Sequence, residues 1–259
     1  MTIVDQKRIT GFVTAVMEKY WSGRYAEHLI TCEARRYAFH ATLILEACSE
    51  GGTVCDIGGG WGILSAACSE MGLRCYLVDD FSDQGFYDTN DPRHRMPSDY
   101  SFSKIAQDVT TEPPPFAANS LDVVSSFDSI EHWHRSPKSL LRQVMDMLRP
   151  GGTLIIGVPN CVNLRKRLTV PFGYGKWSGM ADWYETPVFR GHVREPDVDD
   201  LQYIAYDLGL TNVRILGRNW AGLQNDRAFI RMSTLLMDPL LRNLPSVCSD
   251  IYMIGQKSR

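Results

Sequence analysis

Residues 53–67, TVCDIGGGWGILSAA, decide the fold when read together with Asp79 downstream. Val54 to Ile57 is a short apolar run closed by glycines, the pattern of a buried strand. Gly58, Gly59, Gly60 and Gly62 predict a tight turn, and Ile63 to Met71 has the composition of a helix. Strand, glycine turn and helix in that order open a nucleotide-binding α/β fold. A backbone without Cβ takes positive φ freely and lies directly against a ligand. The unpaired N–H groups at the helix start favour an anionic ligand group. Further on, Cys75 to Val78 predicts a second strand ending in Asp79 and Asp80, and a carboxylate there can accept both hydroxyls of a ribose. The plainer alternative is an ordinary glycine turn and a solvated acid.

The glycine spacing narrows the ligand. A dinucleotide fingerprint needs G-x-G-x-x-G, whereas Gly58, Gly60 and Gly62 run G-x-G-x-G and Ile63 holds the third place. Asp56, two residues before Gly58, would repel a pyrophosphate and suits a cationic ligand. The segment VCDIGGGWG resembles motif I of class I S-adenosylmethionine-dependent methyltransferases. That resemblance implies a Rossmann-like, doubly wound α/β sheet of about seven strands, mostly parallel with an antiparallel last strand. It also implies S-adenosyl-L-methionine as cofactor, with Asp56 near the methionyl ammonium, Gly58 and Gly60 facing the adenosyl part, and Asp79 on the ribose. Asp80 and Phe81 follow the ribose acid, with Phe81 over the adenine. Residues 102–109 are similar to the family's third strand and trailing acid, which implies Asp108, followed by Val109, at the adenine amino group. LDVVSSFDSIEHW, residues 121–133, is much like the family's fourth strand and exit, so the backbone around Ser126, Phe127 and Asp128 should line the methyl-transfer site. LRPGGTLIIGVPN, residues 148–160, is similar to its post-helix turn and fifth strand.

Bulk properties bound the rest. The chain of 259 residues is long enough for one large α/β domain, or a domain with a modest lid. A net charge of −3 without a basic block disfavours nucleic acid as substrate. The first ten residues do not read as a signal peptide, and no apolar run is long enough to span a membrane. Seven cysteines without a C-x-x-C pair suggest reduced thiols in a cytoplasmic protein.

In chain order, residues 5–20 predict an amphipathic helix, with Tyr20 and Trp21 either touching the cofactor or stapling the helix to the core. Residues 33–48 predict a second helix presenting Tyr37, Ala41, Ile44, Leu45 and Cys48. Residues 81–101 show no helical period and predict a long loop at the ligand edge, with His94 and Arg95 either meeting an anionic substrate or solvated. Leu140, Leu141, Val144, Met145 and Leu148 form a helical stripe before a strand at Thr153 to Val158. Residues 161–196 hold Phe172, Tyr174, Trp177, Trp183, Tyr184 and Phe189, which reads equally as a substrate lid or a satellite hydrophobic cluster. Asn212 to Gly217 and Asp250 to Gly255 predict the last two strands. Between them Phe229, Ile230, Leu235, Leu236, Leu240 and Leu241 predict a helix that packs on the core, with a homodimer face or interfacial surface as the alternative. The expected organisation is an N-terminal helical cap (1–50), a cofactor-binding core (51–160), a lid (161–196) and a C-terminal part of the same domain (197–259).

Methyl transfer to a hydroxyl needs a base near the oxygen. His192, in a G-H-V-R-E segment similar to one in small-molecule methyltransferases, and His132 are the candidates. Glu131 and His132 could equally be structural. His132 and His134 lie two apart without a ligand-spaced acid or cysteine, so no metal is expected. The reading is methylation of an oxygen nucleophile on a small molecule, such as a sugar hydroxyl. A cofactor-binding regulatory subunit without turnover is the alternative, and the glycine spacing speaks against a nicotinamide oxidoreductase.

Overall fold

A computed structural model describes residues 6–82, 86–175 and 178–259, the side chains of Tyr25, His28 and Leu29 apart. Two long helices, α1 (Gln6–Tyr20) and α2 (Gly23–Ala47), precede the first strand. The nucleotide-binding half follows as β1 (Thr53–Ile57), α3 (Ile63–Glu70), β2 (Arg74–Asp79), the short α4 (Met96–Asp99) and β3 (Ser103–Ala106). The second half contains β4 (Leu121–Phe127), α5 (Lys138–Met147), β5 (Leu148–Pro159), α6 (Leu164–Thr169), α7 (Met180–Tyr184) and α8 (Val198–Asp207). It closes with β6 (Thr211–Arg218), α9 (Trp220–Leu223), α10 (Ala228–Leu241) and β7 (Asp250–Gln256).

The seven strands form one sheet in the order β3-β2-β1-β4-β5-β7-β6. β1 to β5 pair in parallel, and β7 runs antiparallel to both β5 and β6. The expected architecture is therefore the observed one. Strand order reverses between β1 and β4, and at such a switch point a crevice opens beyond the carboxyl ends of the strands.

Side chains alternate across the sheet and fill two cores. Val54, Leu77, Val123 and Ile155 face α1, α2 and α3, against Ile9, Met17, Ile44 and Ala66. Cys55, Val78, Val124 and Ile156 face α5 and α8, against Leu140, Val144 and Leu201. Sheet β1 to β5 is thus covered on both faces, which leaves its carboxyl edge as the ligand side.

Three elements differ from expectation. α2 starts at Gly23 rather than at residue 33, behind an extended Ser22. Its first turns are half polar, so no apolar stripe marks them, and Ala34, Ala38, Ala41 and Ile44 make its buried line. Residues 81–101 contain a 3-10 turn (Pro92–Arg95) running into α4, too short to show a period. That loop is fixed by fully buried Met96 and by Asp99, which accepts from Tyr20 Oη at 2.5 Å. α10 has no buried residue, so core packing by its apolar stripe is overturned. The helix docks along a half-buried line of Ile230, Thr234, Asp238 and Leu241: Thr234 packs where a Cβ on Gly222 would sit, and Asp238 accepts from Asn219 at 2.9 Å. Phe229 and Leu236 consequently face outward, 82 % and 83 % exposed.

Most of the described aromatic side chains of segment 161–196 lie on the surface. Phe172, Tyr174, Trp183 and Tyr184 are all exposed, whereas Phe189 is half-buried. Trp177 lies outside the described residues. Among the described residues no helix is long and apolar enough to cross a membrane.

Candidate active site

The register of β1 against β2 and β4 assembles the site. Ile57 pairs with Val78 and Asp56 with Ser125, so the ends of all three strands meet at the glycine turn. Gly58, Gly60 and Gly62 have φ of +74°, +58° and +86°. A Cβ on Gly58 would stand 2.0 Å from Ser129 Oγ, whereas one on Gly60 would meet nothing within 4 Å. Gly58 is thus glycine for packing, and Gly60 presents bare backbone to open space.

Asp79 accepts from Gly60 N–H and Phe81 N–H, both at 3.0 Å, which ties the end of β2 to the turn. Burial holds its carboxyl above the usual range, against those two hydrogen bonds. Asp56 is buried beneath the turn. Its Oδ1 accepts from the Ser125 hydroxyl at 2.9 Å, and Oδ2 has no hydrogen-bond partner among the described residues. Burial pushes its pKa up to about 7. An uncompensated buried carboxylate is costly unless a cation or donor reaches it.

Two connected cavities occupy the crevice. One of about 550 Å³ is lined by Gly58, Asp79, Asp80, Asp108, Val109 and His132 among others. The other, of about 390 Å³, is lined by Asp56, Gly60, Phe127, Arg36, Trp61 and Arg93 among others. Gly58 and Asp128 line both, so the two make one elongated groove. Of the expected cofactor residues, only Phe81 lines neither cavity; its ring packs on Phe86 under Lys104 Nζ, 3.6 Å from the ring centroid.

The groove also holds residues that sequence reasoning missed. Arg36 of α2 reaches the end of β4, where it pairs with Asp128, and it contacts Glu33 at 3.3 Å. Burial works against its charge, but Asp128 together with Tyr252, Glu33 and Asp250 outweighs that and raises its pKa. His40 stacks on Phe127, with centroids 4.1 Å apart, and burial with nearby Arg36 keeps it neutral. Arg93 lies 3.9 Å over Trp61. Arg36 sits beside Arg35 on α2 between the buried Ala34 and Ala38, and no local pattern separates the two arginines.

At the other end, the turn after β4 meets the segment before α8. His132 Nδ1 lies 2.9 Å from the Arg190 carbonyl, and the Glu131 carbonyl accepts from Val193 N–H at 2.7 Å. His192 Nδ1 lies 2.7 Å from Glu195 Oε1, and Lys166 also pairs with Glu195. Glu195 is held down at about 2: burial opposes its charge, and the bonds to His192 and Lys166 overcome that. The Glu195 bond in turn raises His192, while burial and the neighbouring His192 lower His132. The His132 and His192 rings stand edge to face, centroids 4.8 Å apart. The structure therefore brings together the two sequence-predicted histidines. His134 lines the first cavity, but His94 sits apart, with Nε2 3.0 Å from the Asp88 carbonyl.

Residues 25–215 match the model of a methyltransferase domain family, so the chain belongs to that family. Its members use S-adenosylmethionine, and this chain is a methyltransferase of that type. An Archaeoglobus fulgidus SAM-dependent methyltransferase shares the fold at 20% identity and TM-score 0.53, over 94% of this chain and 98% of its own. Haemonchus contortus phosphoethanolamine N-methyltransferase 2, solved with S-adenosyl-L-methionine, matches at 16% identity and TM-score 0.58, over 95% of this chain and 57% of its own. Comparison with curated proteins finds no match.

The residues present fit the cofactor. The unpartnered Oδ2 of Asp56 suits an ammonium group, the open face of Gly60 leaves room for it, and the Asp79 carboxylate at the end of β2 offers acceptors that would suit ribose hydroxyls.

Proposed function

We propose that this chain transfers the methyl group of S-adenosylmethionine to an oxygen nucleophile on a small molecule, a hydroxyl of a sugar or other metabolite. The single observation that carries the reading is the edge-to-face pairing of His192 with His132, which lines the larger cavity of a groove whose second cavity holds Asp56 and Gly60. Bound in that groove, the cofactor supplies a methyl group already electrophilic on a sulfonium. The protein's task is then alignment, exclusion of water and removal of one proton.

On this reading Asp56 and Asp79 fix the two ends of the cofactor, with Asp108 and Val109 at the base. The cofactor would supply the methyl group and keep the electron pair of its broken C–S bond on sulfur, so the acceptor hydroxyl has one proton to lose. The hydroxyl proton passes to His192 Nε2, because Nδ1–H is donated to Glu195 and the opposite nitrogen then carries the lone pair. Segment 161–196 acts as the lid, its exposed aromatics closing on a flat or sugar-like acceptor. Pairing of two copies through the outward apolar face of α10 belongs to the same proposal.

The test begins with calorimetry of S-adenosylmethionine, its demethylated product and NAD, with Asp79→Ala alongside. Acceptor hydroxyl panels then follow with His192→Ala and His132→Ala. Full methylation rates in both histidine variants would sink the assignment of a proton acceptor. Cofactor binding without turnover on any acceptor class would favour a regulatory subunit.

A further inference from the structure

Glu131, beside the two histidines, is a buried acid whose side chain the mechanism leaves without a role. It is 1 % exposed, and its Oε2 finds no hydrogen-bond partner among the described residues. Asp128, the nearest other acid of that turn, is already paired with Arg36. One donor atom from each of Glu131, His132 and His192 lies within 4.8 Å of the others. The two rings are oriented from behind: His132 Nδ1 by the Arg190 carbonyl at 2.9 Å, His192 Nδ1 by Glu195 at 2.7 Å. A hydrogen bond from Nδ1–H to a carbonyl or carboxylate is the arrangement that fixes a metal-binding imidazole and leaves Nε2 as the ligand.

From this geometry we propose that Glu131, His132 and His192 bind one divalent transition-metal cation at the acceptor end of the groove. Two imidazoles and a carboxylate suit zinc, iron(II), cobalt(II) or nickel(II), and disfavour magnesium and calcium, which take all-oxygen sets. Donors bound at about 2.0–2.2 Å stand roughly 3–3.5 Å apart, so the three side chains close inward by about 1 Å each. Three protein ligands leave open positions for an acceptor oxygen. Coordination there polarises the hydroxyl and lowers its pKa, so the cation takes over the part otherwise played by the lone pair of His192. This consequence rests on the reading of the groove as an oxygen-methylating site, whereas the cation binding does not.

The experiment therefore measures the cation alone, on full-length protein stripped with a chelator and free of cofactor and acceptor. Cobalt(II) titration followed by its visible d–d absorption, with zinc competition by calorimetry, is expected to give one cation per chain. His192→Ala, whose native side chain is 36% exposed and tolerates removal, should weaken binding at least about 100-fold, as should Glu131→Gln. Glu195→Gln, acting only through His192, should weaken it about 10-fold. Circular dichroism confirms that each variant is folded. Absence of binding overturns the cation site and leaves His192 as the base. So does binding that survives His132→Ala and His192→Ala, or that shows thiolate charge-transfer bands from one of the free cysteines. Cation binding with no methyl transfer to any acceptor would instead fail the oxygen-methylation reading alone.

Discussion

Arg190 reaches across the groove to Ser82, its guanidinium nitrogens 2.8 Å from the Ser82 carbonyl oxygen and 3.1 Å from the hydroxyl. Ser82 follows Asp79 by three residues, and the Arg190 carbonyl is the one held by His132. Residues 188–190 line the larger cavity, so this contact straps that segment across it. Arg190→Ala should weaken cofactor binding about 2–5-fold, because an exposed pair is worth only about 0.5–1 kcal/mol. Calorimetry and stopped-flow release rates check this. Unchanged affinity and release would show that the strap does not close the groove.

Asp56 gives the cofactor site a pH dependence. Its folded pKa of about 7 lies above the ordinary carboxylate value of 3.8. Between those values the folded chain keeps a proton that the unfolded chain loses, so cofactor-free stability falls as pH rises through that window. An ammonium beside Oδ2 favours the ionised form, so cofactor affinity should rise as pH goes from about 5.5 to 7, by up to about tenfold per unit. Asp56→Asn should bind weakly with a flat profile. Calorimetry across that range decides, and an equally steep profile in the variant would remove Asp56 from the ammonium site.

The glycine turn separates folding from binding. Gly58→Ala forces a non-glycine residue into left-handed φ, costing about 1–2 kcal/mol, and drives its methyl into Ser129, adding about 1–3 kcal/mol. Gly60→Ala carries the first cost without the second, since its Cβ meets open groove. Urea denaturation should therefore rank Gly58→Ala as the less stable. Calorimetry should show the cofactor affinity of folded Gly60→Ala reduced. Equal stability losses in the two would contradict the packing role assigned to Ser129.

The parts of this molecule that were legible in the sequence are those where one local pattern has one physical solution. TVCDIGGGWG and the acid that ends β2 define strand, turn and strand end without reference to the rest of the chain, and Asp56, Gly58, Gly60, Asp79, Asp108 and Val109 all border the groove. Phe81 does not, because φ of +50° there turns its ring onto Phe86. Arg36, Glu131 and Glu195 act through partners far away in sequence, at Asp128, His192 and Lys166, and no periodicity encodes such pairs. α10 misled because an apolar stripe does not say how deeply it is buried, and here the inward line mixes half-buried Ile230 and Leu241 with Thr234 and Asp238.

That outward face supplies the last prediction. Phe229, Met232, Leu236 and Leu240 are each more than 60% exposed on one helix, and α10 also carries the half-exposed Leu235. Burying large apolar side chains against a second copy gains roughly 1.5–3 kcal/mol for each one fully removed from water. Four such residues per protomer, doubled by two-fold symmetry, exceed the cost of association even after partial burial is allowed for. Sedimentation velocity should therefore find a dimer at micromolar concentration, and Leu236→Lys should shift it to monomer without changing the denaturation midpoint, since Leu236 makes no buried contact within the chain. A wild-type monomer at every concentration would refute pairing through α10. A dimer indifferent to Leu236→Lys would move the interface to another surface.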